Sequence, residues 1–129
     1  MKPRVQLKHV QIDHDFFRKP KIMALGYRYT EAGQVLFISV LCLMSKATDA
    51  EIDVDCIRAE AKRLVEWNEQ KADEFIQYLL DRNMIHVGSK PFLVSNRRVL
   101  EDQENMAAKQ EKWRESKRSQ RGQSEDKQK

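Results

Sequence analysis

Residues 35–44 read VLFISVLCLM, and this apolar stretch decides the fold. In a helix its apolar side chains would point in nearly every direction, which is typical of a helix that is buried on most sides. The stretch could also form a strand. Its length, the N-cap offered by Thr30 and the helix-forming residues 45–47 favour a helix. We therefore expect this helix to lie at the centre of the fold.

A shorter helix is predicted just before it, over residues 20–29. Pro20 suits the first helical position, because the N–H that proline lacks would have no partner there. The apolar residues that follow at helical spacing are Ile22, Leu25 and Tyr29. Further upstream, residues 5–12 alternate weakly between apolar and polar, which predicts a short strand or an extended arm.

The segments after the central stretch predict a strand, two helices and a β-hairpin, over residues 50–54, 55–66, 69–82, 84–87 and 92–95. Asp53 or Asp55 can cap the first of these helices, and Asn68 can cap the second. Strand 50–54 can add a third strand to the hairpin. The expected class is therefore mainly α with a small β-hairpin or three-stranded sheet, in the order of a winged helix-turn-helix with an extra N-terminal helix.

A C-terminal helical extension is predicted from Arg97 to about Ser119. Val99, Met106 and Trp113 recur every seven residues, so a single narrow stripe is expected to dock the first turns on the body. Residues 117–129 contain no apolar side chain and predict disorder.

Composition indicates one domain followed by a polar segment. Of 129 residues 40% are hydrophobic, but residues 101–129 hold only four of these. We expect a winged-helix domain with an N-terminal arm over residues 1–100, and a charged helical extension with a disordered tail over 101–129. No apolar run approaches the length of a membrane span, and no signal-peptide core follows the first residues. Cys42 and Cys56 are expected to be reduced thiols in the core of a cytoplasmic protein.

The sequence contains no recognisable catalytic or metal-binding constellation. His9 and His14 lie near Asp13 and Asp15, but four ligands on a short extended arm would not converge easily on a metal. The glycines are too sparse for a phosphate-binding loop. We therefore expect a protein that is not an enzyme and that uses neither a metal nor another cofactor.

Charge is distributed unevenly along the chain. The net charge is +5 over residues 1–30, −4 over 31–96 and +3 over 97–129, which together make +4. Basic ends are typical of binding to an anion such as nucleic acid. The cations predicted to contact DNA are Lys2, Arg4, Lys8, Arg58, Lys62, Arg63, Lys71, Lys90, Arg97, Arg98, Lys109, Lys112, Arg114, Lys117 and Arg118. The helix predicted over 69–82 has a net charge of −2, so phosphate contacts should dominate over base readout.

Several segments together resemble a known replication module. They read VQIDHDFF over residues 10–17, PKI from Pro20, LF from Leu36, LCL from Leu41 and RNMIHV over residues 82–87. With Leu25 and Gly33, they are similar to the N-terminal domain of phage replisome organisers, which is related to the winged-helix part of DnaD-type primosome proteins.

This resemblance implies a phage or prophage replication-initiation module that acts in the bacterial cytoplasm. Its expected partners are double- or single-stranded DNA and a replicative helicase, a helicase loader or other initiation proteins, and its body is expected to self-associate. Two other interpretations stay open. The acidic helix over 69–82 would suit a protein-interaction adaptor that binds no DNA, and the helix order would suit a small transcription regulator.

Overall fold

The computed structural model describes residues 3–10 and 12–128, with side chains described as far as residue 119. In chain order, its regular elements are a 3₁₀ turn (Phe16–Arg18), α1 (Pro20–Lys46), β1 (Glu51–Asp53), α2 (Val54–Val65), α3 (Glu69–Asp81), β2 (His86–Val87), β3 (Leu93–Ser95) and α4 (Arg97–Gln128). Over these residues the protein is mainly helical with one small antiparallel sheet, as the sequence predicts.

Helix α1 is interrupted at Thr30, where the sequence predicts the boundary between two helices. Thr30 has φ 65° and ψ −169°, which is not helical. Its Oγ1 accepts a hydrogen bond from the Ala32 N–H at 3.4 Å, as an N-cap does. The Gln34 side-chain amide donates to the Ile22 carbonyl at 3.0 Å and joins the two segments. The prediction of two helices divided at this threonine is confirmed.

The second segment of α1 lies at the centre of the core. Leu36, Val40 and Met44 are fully buried, and α1 packs against α2. Phe75 of α3 is also fully buried, and its ring centroid lies 5.3 Å from that of Tyr29. The stretch 35–44 is less enclosed than its composition suggests. Val35 is 49% exposed, because α2, α3 and α4 leave part of the helix surface uncovered.

The sheet joins the strand before α2 to the hairpin after α3. Its strand order is β1-β3-β2, and both pairings are antiparallel. Val94 of β3 is the central residue, with Ile52 and Val87 as its partners on the two sides. Val94 is fully buried, so the sheet is anchored through its middle strand. The predicted addition of a third strand to the hairpin is confirmed.

Two local predictions, the start of the first hairpin strand and the burial of Cys56, are wrong. Strand β2 begins at His86 and not at residue 84, because the Met84 N–H is used to bond the Leu79 carbonyl at the end of α3. Val87 is then the exposed residue of β2, while His86 is half-buried. Cys56 lies on the outer surface of α2 and is exposed, so it is not a core residue.

Helix α4 packs on the body through its first three turns. As far as residue 119, its buried residues are Val99, Gln103 and Ala107, at i, i+4 and i+8. The predicted docking of the first turns on the body is confirmed, although Val99 is the one member of the seven-residue stripe that is buried. Met106 and Trp113 are 40% and 64% exposed, because a straight α-helix rotates a seven-residue repeat away from a fixed neighbour.

The backbone of α4 remains helical to Gln128, beyond the predicted end near Ser119. Residues 117–128 are mostly Lys, Arg, Gln and Glu, which are good helix formers. The single glycine in this segment, Gly122, costs a helix only about 1 kcal/mol relative to alanine, so it does not end the helix.

Candidate nucleic-acid interface

The cations of α2 are largely neutralised by carboxylates of the protein itself. Arg58 forms ion pairs with Asp55 and with Asp73, the latter at 2.6 Å between Nε and Oδ1. Hydrogen bonds to Asp73 and Asp55 raise the pKa of Arg58 above its usual range. Arg63 pairs with Glu60 at 2.9 Å. Of the three predicted α2 contacts, only Lys62 is an exposed cation with no ion pair among the described residues.

The α3 helix and the hairpin add little free positive charge. Over Glu69–Asp81 there are four acidic residues and one cation, Lys71, whose Nζ lies 4.7 Å from the centre of the Trp67 ring. Lys90 is exposed in the hairpin loop. Next to it, Ser89 donates two hydrogen bonds to the Glu51 carboxylate, at 2.8 Å and 2.7 Å. The loop therefore presents one cation close to one carboxylate.

On the N-terminal arm, Arg4 has a structural role. It donates to the Asp49 carbonyl at 3.2 Å and lies 3.7 Å from the Glu104 carboxylate on α4. Its side chain is only 18% exposed, so it is poorly placed to reach a phosphate. Lys8 is exposed, and Lys2 lies outside the described residues.

The two arginines at the start of α4 differ in their contacts. Arg98 donates to both carboxylate oxygens of Asp13, at 2.8 Å and 2.9 Å, and is therefore engaged within the fold. Arg97 is exposed and lines a groove of about 700 Å³ between the start of α1, β2 and the start of α4. Burial raises the pKa of Asp102, a half-buried carboxyl in the same groove.

Beyond Ala107, α4 projects away from the body and is exposed on every side as far as residue 119. This segment carries five of the predicted DNA contacts, which are Lys109, Lys112, Arg114, Lys117 and Arg118. Only two acidic residues, Glu111 and Glu115, lie among them, so the net charge over residues 108–119 is +3. Within the described side chains, the closest carboxylate contact of these cations is 3.7 Å, between Arg114 and Glu111. We call this segment, residues 108–119, the basic arm of α4.

One feature of the basic arm is absent from the list of predicted contacts. Trp113, in the distal part of the helix, is exposed, and Lys117 Nζ lies 5.2 Å from the centre of its ring. The signal was present in the sequence, because a period of 3.6 residues puts positions 113 and 117 on the same side of a helix.

The described ranges contain no group of three or more His, Cys, Asp or Glu residues placed to hold a metal ion. In the same ranges, no helix combines the length and the apolar character needed to cross a membrane. Comparison of the chain with protein-family models, curated proteins and solved structures finds no significant match.

Proposed function

We propose that this chain is a winged-helix nucleic-acid-binding module of the replisome-organiser type, acting in phage or prophage replication in the bacterial cytoplasm. The order of elements from the second segment of α1 onward, and the sheet order β1-β3-β2, support the winged-helix assignment. In this assignment the loop between β2 and β3 is the wing. The module would scaffold a helicase, a helicase loader or other initiation proteins, and its body would self-associate.

The observation that carries the proposal is the exposed basic arm of α4. Five cations occur within ten residues, from Lys109 to Arg118, on a segment of α4 whose side chains meet solvent on all sides. Lysine and arginine side chains in such a setting gain affinity by releasing counterions that are condensed on nucleic-acid phosphates. A net charge of +3 over residues 108–119 favours this contact.

The same distribution of charge supports binding that depends little on base sequence. Helix α3, which would be the recognition helix, carries four acidic residues over Glu69–Asp81 and would be repelled by the phosphates lining a major groove. Arg58, Arg63 and Arg98 are engaged with carboxylates of the fold. Phosphate contacts would therefore supply most of the affinity.

The test is a fluorescence-anisotropy titration of labelled duplex DNA with the full chain at several salt concentrations. If five phosphates are neutralised, the plot of log Kobs against log salt should have a slope of about −4.5 on a duplex. Replacement of Lys109, Lys112 and Arg114 with Gln should make that slope shallower by about 2.7. The matched control replaces three exposed cations of the body that are not predicted contacts, Arg18, Lys21 and Lys46, with Gln and should leave the slope unchanged. Absence of binding at about 50 mM salt would remove the proposal.

A role as a protein-interaction adaptor is the second candidate, and the groove at the start of α4 favours it. Its floor includes the apolar side chains of Phe16, Phe37 and Met84, and its rim carries Lys21 and Arg97. The test is a pull-down from host lysate treated with nuclease. If the wild type recovers a helicase or helicase loader and an Arg97→Glu variant does not, the result supports this function over the first. Equal recovery by both proteins would count against the groove.

A further inference from the structure

A tryptophan and two lysines share one side of the basic arm of α4. At 3.6 residues per turn, Lys109 and Lys117 lie about one turn before and after Trp113, each about 40° from it around the helix axis. The Trp113 side chain is 64% exposed, and both lysines are exposed. A large aromatic ring therefore stands in solvent between two cations.

The acidic residues of this segment lie on the opposite side of the helix. Glu111 and Glu115 are each two positions from Trp113, which puts them about 160° away around the axis. Glu111 is 3.7 Å from Arg114 and is thus partly neutralised. A polyanion that approaches the ring would therefore meet lysines and no carboxylate from residues 108–119.

An exposed aromatic ring beside cations can distinguish single-stranded from double-stranded nucleic acid. Phosphates are present in both forms, so lysine contacts alone discriminate little. Unpaired bases offer a free π-face on which an aromatic side chain stacks, and this stacking tolerates any base. In a duplex the bases are already stacked on one another and are not open to the ring. Trp113 would thus add affinity for the unpaired strand only.

We propose that Trp113 is a stacking platform for a base of single-stranded nucleic acid, with Lys109 and Lys117 contacting the phosphates on either side. The inference rests on the proposed binding of nucleic acid by α4 and specifies the strand form that this surface prefers. DNA and RNA strands offer the same chemistry to the ring, so the test includes both.

The experiment measures the affinity of the full chain for labelled oligo(dT), oligo(U) and a duplex of equal length by fluorescence anisotropy. The Trp113→Ala variant should bind oligo(dT) about 5- to 150-fold more weakly, the range typical of one lost stacking contact. Its affinity for the duplex should change less than about twofold, since the phosphate contacts are retained. Trp113→Phe keeps an aromatic face and should retain most of the affinity. The matched control, Ser119→Ala, changes a neutral exposed side chain on another side of α4 and should have no effect.

A second measurement separates stacking from other roles of the ring. The tryptophan fluorescence of the full chain, which comes from Trp113 and the buried Trp67, should be quenched by oligo(dT) and not by the duplex, and the quench should disappear in Trp113→Ala. If Trp113→Ala weakens binding to the single strand and to the duplex equally, or weakens neither, the stacking role is overturned while phosphate binding is left intact. A change in molar mass in solution on Trp113→Ala, with unchanged affinity for oligo(dT), would instead assign the ring to self-association and overturn the inference. If the full chain binds none of the three nucleic acids, the proposed function is removed as well.

Discussion

Arg98 and Asp13, which are 85 residues apart in the sequence, form a two-bond ion pair with distances of 2.8 Å and 2.9 Å. Lys19 Nζ reaches the same carboxylate at 2.6 Å. One side chain of the N-terminal arm therefore ties the segment before α1 to the start of α4. The hydrogen bonds from Arg98 and Lys19 hold the pKa of Asp13 well below its usual range.

Replacement of Asp13 with Asn should lower the melting temperature at neutral pH, because both cations lose their charged partner. A depressed carboxyl pKa stabilises the fold above the pKa of the unfolded chain, and this stabilisation is lost as the pH falls through the folded value. The difference in melting temperature between wild type and variant should thus be constant above about pH 5 and shrink below about pH 4. Asp15→Asn, an exposed neighbour whose side chain makes no capping bond, is the control. A difference that persists unchanged at low pH would contradict the ion-pair explanation.

Thr30→Gly should stabilise the protein. Thr30 has φ 65° and ψ −169°, a region that is essentially restricted to glycine and costs other residues about 1–3 kcal/mol. Glycine relieves this strain but gains conformational entropy in the unfolded chain, so we expect a net gain of about 0.5–2 kcal/mol in the free energy of unfolding. Thr30→Ala retains the strain and loses the hydroxyl cap, so it should destabilise. Urea denaturation of both variants tests this, and a stability of Thr30→Gly below that of wild type would count against it.

Gly33→Ala, at the break in α1, should lower the free energy of unfolding by about 1–3 kcal/mol. A Cβ atom at this position would lie 2.5 Å from the Tyr29 Cβ, which is fixed to the backbone. Gly26→Ala is the matched comparison. Its Cβ would meet the end of the Gln34 side chain at 2.6 Å, and that flexible side chain can move away at the cost of its one hydrogen bond to Ile22. The expected result in chemical denaturation is a large loss for Gly33→Ala and a much smaller change for Gly26→Ala. Equal losses would show that the contact with Tyr29 does not decide the cost.

Gln103→Leu should reduce the stability by about 1–3 kcal/mol, the usual cost of leaving a buried polar group without its hydrogen bond. The Gln103 side-chain amide is fully buried and donates to the Ser45 and Ala47 carbonyls at 3.1 Å and 2.8 Å. It therefore satisfies carbonyls at the C-terminal end of α1, which the helix itself cannot pair. Gln110→Leu, at an exposed position of the same helix, is the control. The midpoint of urea denaturation should move for the first variant only.

Removal of residues 117–129 should leave the melting temperature unchanged and weaken binding to DNA. Among the side chains described, which extend to residue 119, the buried contacts of α4 end at Ala107, so none of them lies in the part of the truncated segment that is described. The truncation does remove Lys117 and Arg118 from the basic arm, and the salt slope on a duplex should become shallower by about 1.8. Differential scanning calorimetry and anisotropy titration measure the two effects. A large drop in melting temperature would place the end of α4 within the folded unit.

The sequence predicts most of the helices and strands because their signals are local. The break at Thr30, the caps at Asp53 and Asn68 and the apolar spacing along α3 each depend on residues within a few positions of one another. The basic arm of α4 is also readable from the sequence, since its charge lies in one short segment. The pairs Arg58–Asp55 and Arg63–Glu60 occur at i, i+3 and could have been read as ion pairs from spacing alone.

The order of elements, the central helix and the segment of free positive charge on α4 thus follow from local signals in the sequence. The engagement of Arg4 and Arg98 within the fold depends instead on long-range packing. Arg4 meets Glu104, and Arg98 meets Asp13, because packing brings the N-terminal arm alongside α4. Periodicity and capping act over one or two helical turns, whereas these ion pairs join groups whose proximity depends on how whole segments pack.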